Sequence, residues 1–232
     1  MLSPGDFKIS KLFLGDTEYK KAYLGDTIVF EKKKTSRLPE GYTEVEYIQT
    51  NDYCKINTGQ SGFSATLKLT MDICPEEYSG TGWLFLAQYS GGNGRWYRVS
   101  CYWSDTSIFS QCGTSSQIPL ITKKVIETDY FPRRITISLN WPKRTVSVDD
   151  KSVTFTNFSA TSYATNLFLL GYSETSFLTA KLYSCQMEDD GKPIRDFVPC
   201  IDPSGEVGLY DLINSKFYAN VGTGAFTAGP AV

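Results

Sequence analysis

From Thr179 to Pro230 the chain reads TAKLYSCQMEDDGKPIRDFVPCIDPSGEVGLYDLINSKFYANVGTGAFTAGP. Three strand-like runs lie here, at 180–187, 194–199 and 208–218. They are fenced by Asp190-Gly191-Lys192-Pro193, by Asp202-Pro203-Ser204-Gly205 and by Asn214-Ser215. Gly and Pro supply the special backbone angles of turns, and Asp, Asn and Ser side chains satisfy turn N–H groups. In the first run, alternation sets Ala180, Leu182 and Ser184 on one face and Lys181, Tyr183 and Cys185 on the other. A stretch this dense in short strands is expected to close a β-sandwich.

The same pattern extends upstream. Residues 64–73 (SATLKLTMDI) alternate strictly, with Ala65, Leu67, Leu69, Met71 and Ile73 on one face. That is the signature of a half-buried strand. Residues 43–48 also alternate, with Thr43, Val45 and Tyr47 opposed to Glu44, Glu46 and Ile48. Further strands are expected at 53–57, 82–89, 95–103, 108–112, 118–121, 134–141, 144–148, 152–155 and 166–172, with 82–89 (GWLFLAQY) central in its sheet. Abundant Tyr (15) and Phe (14) against three Met favour strands over helices. About a dozen short strands are most simply buried as two packed antiparallel sheets.

Residues 11–30 hold a direct repeat of period ten. Lys11–Lys20 (KLFLGDTEYK) aligns with Lys21–Phe30 (KAYLGDTIVF). Gly-Asp between short β-prone runs reads as a tight hairpin turn. Two such hairpins would form a small meander, too small to be stable alone. Residues 1–33 are therefore expected to dock on something else, through Phe13, Leu14, Tyr23 and Leu24. The charged run 34–37 is a linker, and the main domain spans 38–232.

There is no histidine. This excludes Ser-His-Asp and Cys-His catalysis and His-ligated metals. A net charge of −2 offers no basic field for nucleic acid. No long apolar run suggests a membrane span, and MLSPGDFKIS lacks the apolar core of a signal peptide. The six cysteines (Cys54, Cys74, Cys101, Cys112, Cys185 and Cys200) form no C-x-x-C pair. Free buried thiols are expected, although Cys101 with Cys112, and Cys185 with Cys200, are spaced to face each other across hairpins.

Several segments of the main domain resemble the concanavalin A-like, laminin-G-type jelly rolls of bacteriophage and prophage surface proteins. They are the opening LPEGYTEVEYI at 38–48 and the closing RDFVPC (195–200), VGLYD (207–211), KFY (216–218) and GTGAFT (222–227). The Leu-Gly-Asp-Thr repeat is similar to short modules found ahead of such domains. The resemblance implies a virion structural protein, at a tail fibre, head fibre or capsid decoration. Its jelly roll would bind host or mucosal glycans, and its N-terminal module would bind other virion proteins. A homo-oligomer is the expected state, and no cofactor is implied.

Sugars stack on exposed aromatic rings, so the candidate glycan site is the aromatic stretch with Trp83, Tyr89, Arg95, Trp96, Tyr97, Tyr102 and Trp103. Some enzymes of this fold cleave glycans with alternating carboxylates on one strand. Here the nearest approximations are Glu44-Val45-Glu46 and Glu188-Asp189-Asp190, both incomplete, so no enzyme activity is expected. Ser104-Asp105 and Asp149-Asp150 are the acidic turns where calcium would be sought. A purely architectural subunit is the alternative reading, and a glycan hydrolase the third.

Overall fold

The computed structural model describes residues 12–14, 17–19, 21–24, 27–31, 37–62, 64–79, 82–91, 95–104, 107–114, 121–127, 132–155, 166–171 and 177–232. The chain divides into two compact units, Met1–Ser36 and Arg37–Val232. In the first unit, β1 (Leu12–Leu14) pairs with β2 (Thr17–Tyr19), and β3 (Lys21–Leu24) pairs with β4 (Thr27–Glu31). Leu14 faces Thr17 in the first ribbon and Leu24 faces Thr27 in the second, whose register shifts between Ala22 and Tyr23. The ribbons are separate two-stranded sheets rather than the expected meander. One residue separates Tyr19 from Lys21, and a tight antiparallel connection needs two.

The second unit is an all-β sandwich. Its strands in chain order are β5 (Thr43–Glu44), β6 (Ile48–Asn51), β7 (Ile56–Ser61), β8 (Lys68–Ser79), β9 (Gly82–Gly91), β10 (Arg95–Ser104) and β11 (Ser107–Thr114). There follow β12 (Ile121–Glu127), β13 (Ile135–Asn140), β14 (Thr145–Val148), β15 (Lys151–Thr154) and β16 (Asn166–Leu169). The closing strands are β17 (Phe177–Asp189), β18 (Lys192–Ile201), β19 (Val207–Asp211), β20 (Lys216–Tyr218) and β21 (Ala225–Ala228). One sheet has six strands in the order β12-β11-β10-β9-β16-β7. The other follows β15-β14-β13-β8-β17-β18-β19-β20, with β5, β6 and β21 attached beside that path. All pairings are antiparallel.

The period-two pattern explains the core. Leu67, Leu69, Met71 and Ile73 are buried, as are Ile135, Ile137 and Leu139 beside them and Val146 and Val148 on β14. They pack against Leu84, Phe85, Cys101 and Leu167 from the six-stranded sheet. Fully burying each such side chain stabilises by about 1.5–3 kcal/mol. Ala65, expected on the same face, is exposed because β8 begins only at Lys68. Strand β9 is central as expected, between β10 and β16.

Elsewhere the strands depart from simple alternation. Ala180 and Leu182 are buried, but so are Cys185 and Met187, because the β17–β8 register shifts between Leu182 and Ser184. The extra residue of a bulge moves every later side chain to the opposite face. The opening segment is likewise not one alternating strand. Glu44 and Val45 are both buried, and β5 spans two residues before β6 begins at Ile48. The strand expected at 53–57 starts later, and β7 runs through Thr58 and Gly59.

That opening segment closes the large sheet. β17 bonds β6 along Lys181–Leu182 and β18 along 185–189, while the far end of β18 bonds β5 at Cys200–Ile201. β21 then pairs with β6, and Val45 bridges Ala231. Both ends of this unit are thereby held within one sheet. On the outer face, Arg134 grips Asp72 with two nitrogens and lies 3.8 Å from the Tyr183 ring. Lys181 pairs with Glu76 at 2.6 Å.

Cys54, Cys74, Cys101, Cys185 and Cys200 are free and buried. The two cross-hairpin pairings do not arise. Cys101 faces Ser110, and Cys112 faces Val99; Cys185 faces Phe197, and Cys200 faces Gly208. Burial pushes the thiols of Cys101 and Cys185 far up and that of Cys200 up to about 12. The native protein should therefore leave these three thiols unlabelled by iodoacetamide at pH 8, and denaturant should expose them all. Peptide mass mapping reads this directly, and native labelling of Cys101 or Cys185 contradicts it. The raised thiols also set a pH dependence. The unfolded chain loses thiol protons from about pH 8.5 upward while the folded chain keeps them, so stability falls above that pH.

Candidate functional site

Two features of the sandwich unit combine aromatic surface with polar groups. The first lies on the outer face of the six-stranded sheet. On β10, Cys101 and Trp103 are buried, so alternation turns Tyr102 outward. Its cross-strand partners are Trp83 on β9 and Phe109 on β11. Gly82 and Leu84 beside Trp83, and Ile108 and Ser110 beside Phe109, are buried. Trp83, Tyr102 and Phe109 are each half-buried and stand in a row across three strands. Ring centroids are 5.0 Å apart for Trp83–Tyr102, and 5.6 Å for Tyr102–Phe109, which stack at 21°. The Trp83 and Tyr102 rings are tilted by 57° to each other, and such cross-strand contacts hold the three rings side by side.

This row contains two of the seven residues expected in a glycan site, Trp83 and Tyr102, and adds Phe109. Trp103 is a correction: it is only 7% exposed and belongs to the core. Alternation from the buried Cys101 puts Trp103 on the inner side, and the bulge, which leaves Leu84 of β9 unmatched, sets Tyr102 opposite Trp83 and Trp103 opposite Gly82. Tyr89, Arg95, Trp96 and Tyr97 sit on the paired ends of β9 and β10, with Tyr97 opposite Tyr89 and Trp96 opposite Ser90. Their side chains lie outside the described residues, as do those of Phe13, Leu14, Tyr23 and Leu24.

The second feature is a cleft of about 450 Å³ where β7 of the six-stranded sheet meets β20 of the large one. Asn57, Gly59, Arg195, Lys216, Phe217 and Tyr218 line it. Arg195 is anchored from below. Its Nε donates to the Thr58 carbonyl at 3.1 Å and lies 3.5 Å from Asp211, and its Nη1 donates to the Ile194 carbonyl at 2.6 Å. Nη2 lies on the Gly59 side, 3.7 Å from where a Cβ would stand. Gly59 has φ +67°, in the left-handed region where a Cβ is costly. Asn57 holds this kink by accepting the Gly59 N–H at 3.0 Å.

Asp211 is fully buried beneath the cleft. It accepts from the backbone N–H groups of Asp196 and Ile213 and from Asn214 Nδ2. The Arg195 guanidinium and the Lys216 ammonium lie 6.0 and 5.0 Å from the Tyr218 ring centre. Burial pushes the Tyr218 phenol up, against the pull of Arg195, so it stays a neutral hydroxyl at pH 7. Sequence reading treats the segments 195–200 and 216–218 as fold markers rather than as a site. Asn57 is more than a hundred residues from Arg195, and no local spacing links them.

The carboxylates considered for chemistry are engaged elsewhere. Glu44 is buried and paired with Arg37 at 2.9 Å, while Glu46 is exposed. Glu188 pairs with Lys68 at 2.9 Å. Asp189 accepts from the hydroxyls of Ser64 and Thr66 at 2.7 and 2.5 Å. Asp190 and Gly191, both at positive φ, form the two-residue hairpin turn. Asp149 spends one oxygen on the Thr136 N–H and the other on Arg133, and Asp150 pairs with Lys151. Among the described residues no group of three or more Cys, Asp or Glu converges as a metal site. Asp105 lies outside them. No protein-family model matches the chain, and no curated protein matches it.

Proposed function

We propose that this chain is a lectin-like structural protein of a bacteriophage virion, with a jelly-roll sandwich unit that binds host or mucosal glycans. The observation that carries glycan binding is the row of Trp83, Tyr102 and Phe109 on an outer sheet face. Rings in register across three strands present a contiguous aromatic strip, and the C–H faces of linked sugars stack on aromatic rings. The virion assignment rests on the segment resemblances at 38–48 and 195–227 and on the N-terminal repeat.

Glycan-array binding by the full chain tests this. Trp83→Ala should weaken binding about tenfold, in line with the roughly 0.5–1.5 kcal/mol of a ring–ring contact plus lost area. It should cost only about 1 kcal/mol of stability, the loss of one ring contact on a half-buried face. A chain that binds no glycan, or a Trp83→Ala variant that binds as before, overturns the reading. Trp103→Ala is not a binding test: it opens a core cavity and should destabilise the fold by about 3–5 kcal/mol.

A purely architectural role is the second reading, favoured by the separate N-terminal unit of two short ribbons. Two-stranded ribbons are marginal alone and gain stability by packing. Under either reading the ribbons dock the protein onto other virion proteins, and a chain lacking residues 1–36 should fail to assemble into particles.

A further inference from the structure

We propose that the cleft between β7 and β20 binds a carboxylate-bearing sugar, a uronic or sialic acid unit, at a site separate from the aromatic row. It extends the glycan-binding reading but stands on different residues.

The cleft has the volume of a small-ligand site, about 450 Å³. Its charge is unbalanced. Arg195 has Asp211 beside it at 3.5 Å, but the Asp211 carboxylate already accepts from two backbone N–H groups and one amide. Lys216 makes no ion pair among the described residues. One positive charge is therefore in excess at the rim of a partly enclosed space. A ligand carboxylate placed there would meet Arg195 Nη2 from one side and the exposed Lys216 ammonium from the other.

The remaining lining suits the rest of a sugar ring. Tyr218 and Phe217 offer apolar surface, and the Tyr218 hydroxyl and the Asn57 amide offer polar groups. The guanidinium is fixed in advance by the Thr58 and Ile194 carbonyls, so little side-chain entropy is lost when an anion arrives. A bare anion such as phosphate would use the two cations and leave the aromatic wall idle.

The test is a titration of the full-length protein with glucuronic acid, its methyl ester, glucose and inorganic phosphate, followed by amide NMR at low ionic strength. Glucuronic acid should shift the amides of Gly59, Ala219 and Val221, and the ester and glucose should not. Lys216→Gln, an exposed substitution, should weaken binding about tenfold, the loss expected for one charge-assisted hydrogen bond. Trp83→Ala should leave this binding unchanged. Equal shifts with glucose, tighter binding of phosphate, no shifts with any of the four, or unaltered affinity in Lys216→Gln each overturn the proposal. If glucuronic acid fails here while Trp83→Ala still weakens array binding about tenfold, the cleft proposal falls and the aromatic-row reading stands.

Discussion

Replacing Asp211 with alanine is expected to destabilise the sandwich unit by about 3–5 kcal/mol, the cost of removing one partner of a buried ion pair. The carboxylate is fully buried and ties β18 and β19 to the turn that follows them. It accepts the Asp196 N–H on β18 at 3.1 Å and the Ile213 N–H after β19 at 3.0 Å. It also takes Asn214 Nδ2 at 2.6 Å, and it lies 3.5 Å from Arg195 Nε. Alanine leaves two backbone donors without this acceptor, leaves Asn214 Nδ2 only the Ile194 carbonyl, and removes the counter-charge of a guanidinium that is only 14% exposed. Asp211→Asn keeps an acceptor for the backbone donors but loses the charge, so it should cost less than the alanine variant. Urea unfolding at pH 7 reads both. An Asp211→Ala loss under about 1 kcal/mol would show that water or neighbouring groups replace the carboxylate, and that it does not organise this corner.

Gly222→Ala is expected to cost about 3 kcal/mol, at the upper end of the overpacking range. A Cβ on Gly222 would stand 1.8 Å from the Tyr53 carbonyl oxygen, and that neighbour is backbone, which cannot rotate away. The loop cannot slide either. Val221 N–H donates to the Lys55 carbonyl, and Asn220 Oδ1 accepts the N–H groups of both Lys55 and Gly222. Asn220 Nδ2 then reaches the Gly224 carbonyl at 2.6 Å. Gly205→Ala is the control: φ is +90° there, but nothing stands within 4 Å of the added carbon. It should cost about 1–2 kcal/mol, from backbone strain alone. Equal effects at the two sites would remove close packing of 220–224 on 53–55 as the cause.

The two corners differ in how far they can be read from residues alone. Asp211 stands in a Tyr-Asp-Leu-Ile-Asn-Ser stretch whose Asp and Asn announce a turn, and the turn forms. That the same carboxylate is also the buried partner of Arg195 is not written in either segment. Gly222 and Gly224 read as turn glycines, whereas the structure makes them spacers against the end of β6 and the bend that follows it, at Asn51, Tyr53 and Cys54. The candidate glycan site shows the same division. Period two identifies Trp83, Tyr102 and Trp103 as strand residues on alternate faces. It does not say which face is covered. Burial of Cys101 and Trp103 turns Tyr102 outward beside Phe109, and one bulge, at Leu84 of β9, lines it up with Trp83.

The amino-acid sequence by itself determined the class of fold and its punctuation. Strands follow from alternation in 67–73 and 135–139, hairpins from Asp190-Gly191 and from the twin Leu-Gly-Asp-Thr repeats, and the lack of histidine removes whole families of chemistry. These are local properties, set by neighbours one to four residues apart. The tertiary structure decided which faces are inside, because a single bulge in β17 inverts every later side chain. It also decided where β5 and β6 insert beside β17 and β18. The cleft joins Asn57, Arg195 and Lys216 across two sheets, and no short-range pattern encodes such a meeting.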